Sequence, residues 1–145
     1  TKVLNIPLLL VEPDAVPTAT SDAMQKLGAT SAIIVGGPEA VAEELVPSLP
    51  NSTRIWGVDR YWTATRLAEA LMEEIKVDTV VVTDGLEPEG TTVMVASFYD
   101  APIIYVKGDE VPEATRKFLS GNKFKKVILV GVSDAAAGEV KGIVG

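Results

Sequence analysis

Residues 7–45 return at 102–140 at a constant offset of 95, and no gap is needed to keep the register. "PLLLVEPDAVPTAT" is answered by "PIIYVKGDEVPEAT", and "SAIIVGGPEAVAEEL" by "KVILVGVSDAAAGEV". Pro7/Pro102, Val11/Val106, Asp14/Asp109, Val16/Val111, Pro17/Pro112, Thr20/Thr115, Val35/Val130 and Gly36/Gly131 are identical pairs. A chain that carries one piece twice must offer both copies related surroundings, which narrows its folds to repeat arrangements. The segment 46–101 has no counterpart within the chain, so the repeating unit is about 95 residues long and one and a half units are present.

Short apolar runs rich in β-branched residues punctuate both copies and the segment between them: Leu8–Val11, Ala32–Val35, Thr79–Thr83, Ile103–Val106 and Val127–Val130. Each is continuous rather than alternating, the pattern of strands buried on both faces of a parallel sheet. Helical stretches are expected near 17–27, 38–46, 63–76, 91–99, 112–120 and 134–141. Strand and helix in alternation predict an α/β fold, a mostly parallel doubly wound sheet in a single domain over 1–145, joined by right-handed crossovers. In the stretch 63–76, Ala64, Leu67, Ala68, Leu71 and Ile75 recur at helical spacing with Thr63 placed to cap them. Pro17 and Pro112 suit first helical turns, where a missing N–H is harmless.

Composition removes several function classes. Cys and His are absent, so Cys/His zinc sites, Ser-His-Asp triads and thiol nucleophiles cannot be built from this chain. A net charge of −7 argues against nucleic acid, whose binding surfaces concentrate Lys and Arg. No apolar run approaches the ~20 residues of a membrane span. No basic leader with a small-residue cleavage site opens the sequence, as expected of a cytosolic chain or of the mature or excised part of an exported one. No Walker lysine motif, Gly-x-Gly-x-x-Gly or EF-hand loop is present, so neither cofactor nor metal is expected.

The segment "RIWGVDRYWTATR", 54–66, gathers Arg54, Arg60 and Arg66 with Trp56, Tyr61 and Trp62. Planar cations beside aromatics can bind sugars, phosphates or carboxylates. Equally, Gly57 can make a tight turn, Asp59 can accept its hydrogen bonds and the aromatics can close the core. The strand exits offer further candidates: Gly36 and Gly37, Asp84 and Gly85, and Gly131, since ligands of α/β sheets sit beyond the carboxyl ends of strands. As an alternative to a ligand site, Asp84-Gly85 reads as an ordinary turn. The basic stretch Arg116, Lys117, Lys123, Lys125 and Lys126 reads as a solvated helix end.

Arg54, Gly57, Asp59, Arg60, Tyr61, Thr63 and Ala64, followed by "TVVVTDG", "APIIYV" and "VILVG", resemble the cell wall binding repeat 2 family, with 54–145 as one unit and 7–53 as the latter half of another. The better Gly-Gly motif is "IVGGPEAV", 34–41. The resemblance implies Rossmann-like α/β units, usually three in tandem about a pseudo-threefold axis. They are non-catalytic and hold exported proteins on the envelope by contact with an anionic wall polymer. It places Ile103, Ile104 and Tyr105, and Leu8, Leu9 and Leu10 in the other copy, at the family's polymer-associated Ile-Leu-Leu position. Ile103, Ile104 and Tyr105 together with Arg54, Asp59, Arg60, Tyr61 and Trp62 form the candidate binding set, Arg60 being the residue expected to be most open to a ligand or a neighbouring module. The expected partners are therefore a cell-envelope polymer or neighbouring repeat modules, in an extracellular location. Two other readings remain open: a small-molecule or metal-dependent enzyme working at Asp84 and the glycine turns, and a self-association module that forms a homo-oligomer.

Overall fold

In the computed structural model, residues 6–145 are described. The order of elements is α1 (Thr18–Lys26), β1 (Ala32–Val35), a 3₁₀ segment (Glu43–Ser48), β2 (Ser52–Ile55), α2 (Arg60–Glu74), β3 (Thr79–Asp84), α3 (Thr92–Tyr99), β4 (Ile103–Val106), α4 (Glu113–Gly121), β5 (Lys126–Val130) and α5 (Asp134–Val144). Strand and helix alternate and all the strand pairs are parallel, as the continuous apolar runs predict. The strands form two sheets where one was expected: a pair, β1-β2, and a triplet in the order β4-β3-β5.

The triplet carries the core. Val80, Val81, Val82, Ile104 and Val106 are fully buried. The face bearing Val80, Val82, Ile104 and Val106 packs against Ala68 of α2, Phe118 and Leu119 of α4, and Ala136 and Val140 of α5. Val81 on the opposite face meets Ala96 of α3 and Ala101. Burying each of these branched side chains is worth about 1.5–3 kcal/mol, so the triplet and its helices account for most of the chain's apolar burial.

The two copies agree in small detail. Helices α1 and α4 begin and end at counterpart positions, each preceded by a proline, Pro17 or Pro112, in extended conformation. Glu12 and Ala15 exchange backbone hydrogen bonds, as do Lys107 and Glu110. Thr20 Oγ1 donates to the Leu10 carbonyl at 2.5 Å, and Thr115 Oγ1 to the Tyr105 carbonyl at 2.5 Å.

Three expectations need correction. Leu8–Val11 is not a strand, and Leu8 and Leu10 are 85% and 76% exposed. Its counterpart β4 is a strand because it pairs with β3, whereas the position equivalent to β3 in the first copy falls before residue 1. A run of apolar residues becomes a strand only where a ladder partner exists. Second, 38–46 is not an α-helix. It is a turn followed by the 3₁₀ segment, with Pro47 inside it, where an α-helix would lose an N–H and force the ring against the carbonyl four residues earlier. The counterpart of Pro47 in the second copy is Gly142, and α5 runs through it. Third, α2 starts three residues before Thr63, because Asp59 is its cap.

Candidate binding cleft

The Arg/aromatic segment forms the joint between β2 and α2. Asp59 Oδ1 accepts from the Trp62 N–H at 2.8 Å, satisfying one of the unpaired donors at the start of the helix. Thr63 Oγ1 donates to the Asp59 carbonyl at 2.9 Å and accepts from the Gly57 N–H at 3.0 Å. Gly57 must be glycine, since a Cβ there would stand 2.2 Å from the Trp62 Cβ. Each arginine of the segment reaches a backbone carbonyl. Arg54 Nη1 donates to Gly36 at 2.8 Å, Arg60 Nη1 to Gly85 at 2.6 Å and Arg66 Nη1 to Trp56 at 2.5 Å. The first bond ties β2 to the exit of β1, the second ties α2 to the exit of β3, and the third ties α2 back to the loop ahead of it.

The exits of β3 and β4 are fastened as well. Asp84 Oδ1 accepts from the Leu86 N–H at 2.9 Å and from the Gly108 N–H at 3.3 Å, and the Gly85 N–H donates to Val106 at 2.8 Å. Gly85 lies beneath two tyrosines: a Cβ there would come 3.0 Å from the Tyr105 Cβ and 3.1 Å from Tyr61 Cε1.

Between the β1-β2 pair and the unit formed by α2, α3 and β4 lies an open cleft of about 1400 Å³. Its walls are largely apolar, with Val35, Trp56, Leu67, Val93, Ile103 and Tyr105 among them. Among the described residues Arg60 is the one cation lining it, against Glu39, Asp59, Glu73 and Glu74. The apolar stripe expected on α2 is divided between two tasks. Tyr61, Thr65 and Ala68 are buried, whereas Ala64, Leu67 and Leu71 line the cleft.

Of the expected site residues, the fold brings Gly36, Gly37, Asp59, Arg60, Ile103 and Tyr105 to this cleft. It separates the others. Arg54 lies behind the β1 exit with Nη2 3.1 Å from Glu43 Oε1, Tyr61 is 8% exposed, and Ile104 is fully buried. Trp62 lies outside the cleft with Lys117 Nζ 5.5 Å from its ring centre, and Asp84 and Gly131 are not among the lining residues. Trp56, 40% exposed and lying over Gly37, together with Leu67 and Val93, completes the cleft lining. None of the three belongs to the candidate binding set. A signal for Val93 was available: "TVMVASFY" is apolar on every side, which marks a helix with two apolar surroundings.

The basic stretch does not form an anion patch. Arg116 pairs with Glu139, Lys117 with Glu113, and Lys125 with Asp78, while Lys126 Nζ stands 4.5 Å from the Tyr99 ring centre. The hydrogen bond and charge of Lys117 hold the Glu113 carboxyl below its usual range, and Lys125 does the same for Asp78. Among the described residues no three acidic side chains converge as metal ligands, and no helix is long and apolar enough to cross a membrane.

The chain is 24% identical over 136 residues to the N-acetylmuramoyl-L-alanine amidase LytC of Bacillus subtilis (strain 168), matching 92% of this chain and 27% of that protein. It is 24% identical over 148 residues to the amidase enhancer of the same organism, matching 97% of this chain and 20% of that one. The structure of Cwp6 from Clostridium difficile superposes with a TM-score of 0.83 at 25% identity, covering 94% of this chain and 23% of that one. This chain therefore spans between a fifth and about a quarter of the length of these relatives. The family model for cell wall binding domain 2 matches residues 54–141, from the arginine that ties β2 to β1 through most of α5, and the chain belongs to that family.

Proposed function

We propose that this chain is a non-catalytic module that holds an exported protein on the outside of the cell by non-covalent contact with a cell-wall polymer, and that the contact is made at the mouth of the cleft. The observation carrying the proposal is that the family's opening motif folds into a joint that places Trp56, Arg60, Ile103 and Tyr105 around one cleft. Aromatic faces suit sugar rings, and the exposed part of the Arg60 guanidinium can meet an anionic substituent. The motif's other polar groups are engaged with backbone: Asp59 with Trp62, Thr63 with Gly57 and Asp59, Arg54 with Gly36. That supports a scaffold role for them and leaves recognition to the exposed residues.

The acidic rim has a consequence for affinity. A module with a net charge of −7 gains little from long-range attraction to an anionic polymer, so stacking and short hydrogen bonds must hold it. Binding should change by less than about threefold between low and physiological salt, where charge-driven attachment would weaken much more steeply.

The test is co-sedimentation with isolated walls at a temperature where every variant is folded. Trp56→Leu and Arg60→Ala should each reduce the pelleted fraction, while Lys123→Ala, outside the cleft, should leave it unchanged. Equal pelleting by all three variants would remove the cleft from the account.

A further inference from the structure

Strand β1 is the first-copy counterpart of β5, and the two differ in what lies beside them. In β5, the Lys126 N–H donates to the Asp78 carbonyl on the β3 side. Backbone groups in a parallel strand face alternate neighbours, so Ile128 and Val130 also face β3, while Val127, Leu129 and Gly131 turn outward. In β1, the Gly36 N–H donates to the Ile55 carbonyl of β2 at 3.0 Å, and by the same alternation Ile34 and Ala32 face β2. Residues 32, 34 and 36 are the counterparts of 127, 129 and 131. The side of the strand that β2 fills in the first copy is therefore the side that β5 leaves without a strand among the described residues.

That edge has none of the usual protection. Beyond Lys126 it reads Val-Ile-Leu-Val, with no proline, bulge or inward charge, and such an edge is a template for another strand. Gly131, at φ +61°, matches Gly36, at φ +122°, as the positive-φ residue at the strand exit. Gly36 presents the carbonyl that Arg54 caps at 2.8 Å.

We infer that the outer edge of β5 is a docking site for a parallel extended segment of the pattern Thr-Arg-Ile-x-Gly, whose arginine donates to the Gly131 carbonyl. The repeat boundary then cuts through a sheet: the opening strand of one unit completes the sheet of the unit before it, in the order β4-β3-β5 followed by the incoming strand. The counterpart of Glu43, which flanks Arg54, is Gly138, so the incoming arginine is held through the carbonyl without that ion pair. The inference rests on the repeat and its hydrogen bonds, and stands or falls separately from polymer binding.

Gly145 is the counterpart of Pro50, so a copy of residues 51–76 appended directly after Gly145 restores the natural spacing. Hydrogen exchange on this extended chain should show the Val127, Leu129 and Gly131 amides slowed at least about tenfold relative to the natural chain, with Ile128 and Val130 changed little. Replacing the appended Ser-Thr-Arg-Ile by Gly-Ser-Gly-Ser should abolish the slowing, and replacing its arginine by alanine should reduce it, most strongly at Gly131. Unchanged outward amides, or slowing that survives the Gly-Ser replacement, would overturn the inference. A synthetic peptide copying residues 50–77, added to the natural chain, gives a second reading. Saturable shifts of the Val127, Leu129 and Gly131 amide resonances support the site, and shifts confined to other residues, or none, refute it.

Discussion

The two copies of the repeated piece share a sequence pattern and several identical hydrogen bonds, yet among the described residues the clustered core gathers around the second. Ile104 is fully buried, while its first-copy counterpart, Leu9, is only half-buried and is flanked by Leu8 and Leu10, 85% and 76% exposed. Tyr105 and Leu10 offer the same carbonyl to the same threonine, so local turn chemistry is already complete in both copies. What the second copy has beside it is β3, from the unrepeated segment, whose Val80, Val81 and Val82 are fully buried between β4 and β5. The difference teaches that local signals set the turns and the helix start, while burial depends on the central strand.

Several substitutions would break or sharpen that contrast. Ile104→Ala should cost about 2–5 kcal/mol in urea unfolding, because it leaves a cavity between β3 and the helices. Leu9→Ala, at the counterpart position, removes a side chain that is only half-buried and should cost less than about 2 kcal/mol. Equal costs would mean that the first copy packs as tightly as the second. Next in size, Thr115→Val leaves the part-buried Tyr105 carbonyl without its donor and should cost about 1–3 kcal/mol. Thr20→Val should cost less, since Leu10 is open to water that can replace the lost donor. Arg60→Ala removes the bond to Gly85 at the exit of β3 and should cost about 1–2 kcal/mol, so its stability must be measured beside its binding.

The smallest effect is electrostatic. Lys125 Nζ lies 2.7 Å from Asp78 Oδ2, and that hydrogen bond, with the nearby charges of Lys125 and Lys76, holds the Asp78 carboxyl below its usual range. A carboxyl whose folded-state pKa is depressed contributes stability above its unfolded value, and the contribution disappears as pH falls through the lowered folded value. Lys125→Ala should thus lower the urea midpoint slightly at neutral pH. The gap to the natural chain should close at pH values below the ordinary aspartate pKa of about 3.9. A gap that persists in acid would assign the loss to packing. The pair belongs to the complete copy alone, because the counterpart of Lys125 is Thr30.

Much of the fold was legible because its signals are local. The prolines before α1 and α4, the continuous apolar runs of β1, β3, β4 and β5, and the largely apolar α3 each follow from neighbouring residues. Two departures have non-local causes: Leu8–Val11 has no ladder partner among the described residues, and the single sheet expected from strand counting is divided. Pro47, where α5 has Gly142 and runs through, stops an α-helix from continuing past 46, but it does not by itself account for the turn at 38–42. Strand β2 was missed because Ser-Thr-Arg-Ile is short and half polar, and it is a strand by virtue of pairing with β1. The site was legible as a segment and not as geometry. That Arg54, Arg60 and Arg66 would each find a carbonyl, at Gly36, Gly85 and Trp56, depends on contacts 10–25 residues away in the chain.

The most direct test of wall attachment is co-sedimentation of the natural chain with walls from which the anionic secondary polymer has been retained or chemically stripped. The account predicts that the chain pellets with intact walls and stays in solution with stripped ones. Failure to pellet with intact walls, or equal pelleting with both, would contradict it.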